Sequence, residues 1–156
     1  MAEALIGAAR EVGIRLVLLP VYYRRGGFER AATPAQRRFV HAGVDDYLTL
    51  LSGLTGVARG IAPHSLRAVP PEELALLEAG AAAVLGDDFP RHIHIAEQPA
   101  EVEDCMAALG RPPVDVLADA VELSDRWQLV HATHATEAEL DRVIAVSYTH
   151  LRAHET

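Results

Sequence analysis

The chain has 156 residues, half of them hydrophobic, a net charge of −8 and a single cysteine. That apolar content is enough for a core, while an acidic balance with no Lys/Arg cluster longer than a pair argues against a nucleic-acid surface. Cys105 alone cannot form an internal disulfide and fits a reducing, cytoplasmic setting; no run reaches 18 apolar residues and no basic-then-apolar leader is visible, so neither a membrane span nor a secretion signal is expected.

In chain order, 2–12 places Leu5, Ile6, Ala9 and Val12 on one helical face, and Gly13 ends it. Residues 14–19 read as a near-continuous apolar strand of the kind buried on both faces of a parallel sheet. Gly26-Gly27 lead to helices near 34–41 and 44–56; the glycines are not a phosphate loop, because no helix opens at the right spacing and no Lys-Ser/Thr follows. A second strand, 58–62, ends at Pro63-His64. Pro70-Pro71-Glu72-Glu73 then open a helix to about Leu85, with proline in the first turn and acids against the positive end of the dipole. A third strand, 91–96, is followed by helices from Pro99 to Leu109 and from Pro113 to about Leu123. Cys105 falls among Val102, Met106 and Leu109 and reads as a core thiol. Trp127 to Val130 form a fourth strand, and Thr136 caps a helix that turns Leu140, Val143 and Ile144 inward.

Four strands, each followed by helix, predict a parallel α/β architecture. Four βα units make half of a TIM-type (β/α)8 barrel or a complete open sheet, and periodicity does not separate the two. Residues 1–145 are read as this one domain. After Ala145 the pattern stops. Residues 146–156 have no apolar face and resemble a translated adapter or vector peptide, so a non-native tail is expected there and His150 and His154 are set aside.

A parallel βα array opens the C-terminal ends of its strands onto one face, where such proteins bind and react. Period 2 sends His92 and His94 to one side of their strand, between two isoleucines facing the other. A neutral imidazole at a strand end suits Zn²⁺ or a similar metal, although paired strand histidines also occur as surface polarity or satisfied core. Glu97 points the opposite way unless the chain bends after Ile95. With that bend it shares the pocket and can carry a proton from a metal-activated water, whose pKa falls from about 15.7 towards about 7, to a leaving nitrogen. His131 follows Leu129-Val130 and either binds metal or orients the attacking water. The planar fork of Arg67 suits a carboxylate, against the alternative of a surface arginine, and His64 shares its loop. His134 reads as solvated or capping and His41 as a partner of helix-end carbonyls. His92, Arg24 and Arg25 carry no assigned role.

Ala62-Pro63-His64-Ser65-Leu66-Arg67, His92-Ile93-His94-Ile95-Ala96-Glu97-Gln98 and Leu129-Val130-His131-Ala132-Thr133-His134 together resemble the amidohydrolase superfamily, and more narrowly its formimidoylglutamate deiminase family, over about residues 2–145. The resemblance implies strands 3 to 6 of a (β/α)8 barrel with one divalent metal, usually zinc. Its activity would be hydrolysis of N-formimidoyl-L-glutamate, a small dicarboxylate of histidine degradation, to N-formyl-L-glutamate and ammonia. It implies His94 as metal ligand, Glu97 as proton shuttle, His131 as the group that polarises or orients the water, and His64 and Arg67 as substrate contacts, Arg67 on a carboxylate. A homodimer is expected for the complete protein. The family's first-strand His-x-His pair and final-strand aspartate have no counterpart here, so the chain by itself is expected to be an inactive fragment. Two other readings stay open: a related deaminase acting on a purine, pyrimidine or triazine ring, and a non-catalytic α/β binding module.

Overall fold

A computed structural model describes residues 2–145; the expected tail, 146–156, with His150 and His154, lies outside the described residues. Helix α1 (Ala2–Val12) leads into a first strand in two pieces, β1 (Val17–Leu18) and β2 (Val21–Tyr22), interrupted at Pro20, whose nitrogen has no hydrogen for the ladder. The neighbouring strand is also split, into β3 (Ala58–Arg59) and β4 (Ala62–Pro63), around Gly60. Val17 pairs with Ala58, Leu18 with Arg59, Val21 with Ala62 and Tyr22 with Pro63, all parallel and at one offset, so the four pieces make two strands of a single ladder. A parallel bridge from Ile61 to Arg91 joins them to β5 (Arg91–Ile95), which pairs in parallel with β6 (Trp127–His131). Spatial order therefore follows chain order. Helices α2 (Val44–Gly53), α3 (Pro71–Leu85), α4 (Pro99–Leu109), α5 (Pro113–Ala120) and α6 (Glu137–Ile144) occupy the connections and the end, as a partial (β/α) barrel requires.

Local chemistry explains the helix bounds. Proline stands in the first turn of α3, α4 and α5, where a backbone N–H would have no intrahelical partner. Gly110, at φ 72°, ends α4 in the left-handed conformation that costs glycine least. Helix α6 opens with a reciprocal cap: Glu139 N–H donates to Thr136 Oγ1 (3.3 Å) and Thr136 N–H to Glu139 Oε2 (2.8 Å). The other oxygen of this buried carboxylate accepts from Val114 N–H at 2.9 Å, tying α6 to the start of α5.

One face of the sheet carries the core. Ile93, Ile95, Trp127 and Leu129 join Leu74 and Leu77 of α3 and Val114 and Leu117 of α5 in one buried cluster. The alternate residues His92, His94, Gln128 and Val130 are half-buried on the opposite face. Among the described residues no helix is long and apolar enough to cross a membrane.

Several sequence expectations shift. The first strand begins at Val17 rather than Ile14, and it is not buried on both faces: Ile14 is 61% and Val17 47% exposed. β1 has β3 on one side, and no strand among the described residues pairs with its other edge. The helix expected near 34–41 is a single 3-10 turn, Arg37–Phe39, because Gln36 folds back to accept from Thr33 N–H (2.9 Å) instead of continuing a helical face. Helix α2 stops at Gly53 and α5 at Ala120, where Leu54 and Val121 turn extended. Leu5, Val12, Met106 and Ile144, expected inward, are exposed, and Ile6 and Ala9, Cys105, and Val143 are the buried hydrophobic residues of their helices.

Burial, then Glu101 and Glu139, push the Cys105 thiol up to about 11. At pH 8 its alkylation by iodoacetamide should therefore run more than about 100-fold slower in the native chain than in urea; equal rates would show that the thiol is not enclosed. A methyl group on Gly60 would run into the backbone carbonyl and ring of Pro90. Gly60→Ala should accordingly cost about 1–3 kcal/mol in denaturant unfolding, and an unchanged midpoint would contradict the close approach.

Candidate functional site

Three imidazoles stand in a row across the ends of adjacent strands. His64 follows β4, His94 lies in β5 and His131 ends β6. Ring centroids are 5.2 Å apart for His64 and His94, and 5.5 Å for His94 and His131. The His64 carbonyl oxygen accepts from the His94 backbone N–H at 3.1 Å and from His94 Nδ1 at 3.0 Å. A carbonyl only accepts, so Nδ1 carries the hydrogen, and in the neutral ring Nε2 is left with its lone pair for a metal. Metal-binding histidines are oriented in this way. The His64 ring lies edge-on to Tyr23 (5.0 Å), with Nδ1 3.0 Å from the buried Ser65 hydroxyl. Burial first, then His94 and Arg67, lower its pKa from the ordinary value, against an opposing pull from Glu97, so His64 is a neutral imidazole at neutral pH. His92 shares the face of His94, and its pKa is lowered by burial and by His94.

Glu97 reaches this pocket by the bend that strict alternation lacks. Ala96 is buried at φ 48°, in the left-handed region, and turns the chain so that Glu97 Oε1 lies 3.6 Å from His131 Nε2. Glu97 Oε2 lies 3.4 Å from Arg67 Nη2. One further participant, Glu101, received no site role from the sequence. Its side chain is 1% exposed, it accepts from Glu97 N–H at 3.0 Å, and it stands 3.9 Å from Arg67 Nη2. An acid in the first turn of a helix reads as a dipole partner; the available clue is its place on the stripe of α4 that also holds Cys105, four residues on.

The structure thus brings His64, Arg67, His94, Glu97 and His131 together and leaves other candidates outside. Arg24 spends its guanidinium on Glu73 (3.0 Å) and on the carbonyls of His41 and Ala42. Arg25 donates to the carbonyls of Leu66 (3.0 Å) and Arg67 (3.1 Å), bracing the loop that presents Arg67. His41 is not at a helix end: it precedes α2, its ring packs against Tyr22 and Tyr47, and its nitrogens face Val21 O and Asp46. The side chain of His134 is exposed, while its backbone N–H donates to Ala96 O at 2.8 Å. A groove of about 910 Å³ between α1 and the β1–β3 edge is lined by Ile6, Ile14 and Val17 and by none of these site residues.

His94 fits a divalent metal as one ligand. No group of three or more His, Cys, Asp or Glu side chains among the described residues is placed to complete such a site.

Residues 1–154 match the sequence profile of the Amidohydrolase family. Formimidoylglutamate deiminase of Pseudomonas aeruginosa is 48% identical over 141 residues, which is 85% of this chain and 30% of that protein. The crystal structure of an amidohydrolase from Brucella melitensis superposes with a TM-score of 0.80 at 41% identity, covering 94% of this chain and 33% of that one. An adenosine deaminase from Xanthomonas campestris, solved with bound zinc, shares the fold at 21% identity and a TM-score of 0.70, covering 98% and 33%. The chain spans about a third of the length of these relatives.

In the metal-free chain, long-range ¹H–¹⁵N correlation at a pH where the His94 ring is neutral should show it protonated on Nδ1 and bare on Nε2. The opposite tautomer would mean that the His64 carbonyl does not hold the ring.

Proposed function

The chain belongs to the amidohydrolase family, and from that premise we propose that it carries part of the active site of a metal-dependent deiminase acting on N-formimidoyl-L-glutamate. The observation that carries this reading is the pairing of Arg67 with Glu97 at 3.4 Å, a carboxylate anchor beside a proton-transfer group. The relative from Pseudomonas aeruginosa bears the name of the same activity. A ring substrate gives a guanidinium at that place no carboxylate to bind.

A divalent metal, zinc by analogy with the adenosine deaminase, would take the free Nε2 of His94 and supply Lewis acidity there. Every other step uses the chain's own groups. Arg67 receives a substrate carboxylate on two parallel N–H donors, and Glu97 is released from Arg67 as that carboxylate arrives. His131, 3.6 Å from Glu97, holds the hydrolytic water in line with Glu97. Glu97 takes one proton from the water as its oxygen adds to the formimidoyl carbon, and delivers it to the nitrogen. A second transfer along the same path breaks the C–N bond, releases ammonia with the bonding pair and leaves the formyl C=O. His64, neutral and partly buried, hydrogen-bonds the substrate without adding charge. The same reading brings a cytoplasmic location and a homodimer for the complete protein.

To test it, residues 2–145 replace their counterpart in the Pseudomonas aeruginosa deiminase, and ammonia release is followed with N-formimidoyl-L-glutamate and with adenosine. Turnover of the first is expected. Glu97→Gln should lower kcat about 10²–10⁴-fold, and Arg67→Ala should raise KM by about 10- to 100-fold. A folded chimera that prefers adenosine, or keeps its rate as Glu97→Gln, overturns the assignment. With His94 as the single ligand placed by the described residues, the 156-residue chain alone should show no turnover.

A further inference from the structure

We infer that Glu101 is a positioning residue: from helix α4 it fixes the proton-transfer group Glu97 and the carboxylate anchor Arg67 relative to each other. This deepens the deiminase reading and rests on it. Glu101 Oε2 accepts from Glu97 N–H at 3.0 Å and stands 3.9 Å from Arg67 Nη2, while its side chain is only 1% exposed. Among the described residues, Glu101 Oε1 and Arg67 Nε are buried without a hydrogen-bond partner. Enclosing a carboxylate is costly, and an apolar residue would fill the inward stripe of α4 as Cys105 does one turn later. What an apolar residue cannot do is serve both neighbours.

The two contacts have different consequences. The bond to Glu97 N–H holds the peptide just after the left-handed bend at Ala96, so it sets where the Glu97 side chain departs. The contact with Arg67 is longer than a hydrogen bond, and acts through charge without occupying the donors of the guanidinium. Those donors stay available to an incoming carboxylate. When it displaces Glu97, Glu101 still holds Arg67 in place. The distance between anchor and reacting carbon, and with it the chain length of the dicarboxylate accepted, is thus set from behind the site by a residue that does not touch the substrate.

The test uses the chimera with Glu101→Gln, Glu101→Asp, Arg67→Ala and the Arg67→Ala/Glu101→Gln double variant. Glutamine keeps an acceptor for Glu97 N–H and removes the charge; KM for N-formimidoyl-L-glutamate should rise about 10-fold with kcat within about 3-fold. Aspartate keeps the charge and falls short of Glu97 N–H; kcat should fall about 10-fold with little change in KM. In the Arg67→Ala background, glutamine should add nothing to KM. A residue that merely fills space would move kcat and KM together in both variants, and its effect would persist without Arg67; that pattern overturns the inference. Turnover by the parent chimera reports separately on the deiminase reading. If the parent is inactive, thermal midpoints of the parent, Glu101→Gln, Arg67→Ala and the double variant decide: non-additive losses for Arg67 and Glu101 support the coupling, and additive losses overturn it.

Discussion

The carbonyl oxygen of His64 takes two hydrogen bonds from one residue, the backbone and ring N–H groups of His94. The first extends the ladder one step past the end of β4 and fixes the register in which the two strand ends leave the sheet. The second fixes a ring. Two of the site's charged groups are placed by counting from these two residues. Arg67 lies three residues beyond His64 and Glu97 three beyond His94. Each is carried over the edge by a turn, so equal departures from paired strands bring their charges together at 3.4 Å. A parallel sheet makes this possible, because both chains leave by the same edge. Paired in antiparallel fashion, the same two motifs would open onto opposite edges.

Charge balance is the second organising feature. An acidic chain sets one arginine among two carboxylates, and those carboxylates differ in exposure: Glu97 at 32% and Glu101 at 1%. The exposed one can exchange partners with solvent or substrate at little cost, while the enclosed one cannot. Arg67 is therefore held permanently from behind and only provisionally in front. Arg25 adds a third restraint through the carbonyls of Leu66 and Arg67, so the loop backbone is fixed even when the guanidinium changes partner.

How much of this the sequence discloses depends on whether the signal is local. Strands β5 and β6 and helices α3 and α4 are legible because their bounds are set by neighbours in sequence: alternating isoleucines, proline in the first turn, glycine at the end. The His-x-x-Glu spacing on β5 is legible for the same reason. Strand β1 is not, because its apolar residues look alike whether or not something covers them, and Ile14 and Val17 are uncovered here. Arg24, Glu73, Tyr22 and His41 form a network whose members lie up to 51 residues apart, and no periodicity reports it. Glu101 fails differently: its local context offers a sufficient explanation, a helix dipole, which conceals the tertiary one.

Backbone strain at the strand ends closes the account of why the site keeps its shape. Ala96, His131 and Ala132 all have positive φ, at 48°, 73° and 48°, and none is glycine. Conformations of this kind cost about 1–3 kcal/mol each and persist only where surrounding bonds over-determine them. The bonds are present: Ala132 N–H donates to Ile95 O (2.9 Å) and His134 N–H to Ala96 O (2.8 Å), so the β5–β6 pairing continues through the strained segment after regular strand geometry ends. Relaxing either bend would break this pairing and carry Glu97 or His131 away from the other. Strain and cross-strand bonding thus hold each other in place, and the 3.6 Å approach of a carboxylate to an imidazole follows from backbone geometry rather than from the attraction between the two side chains.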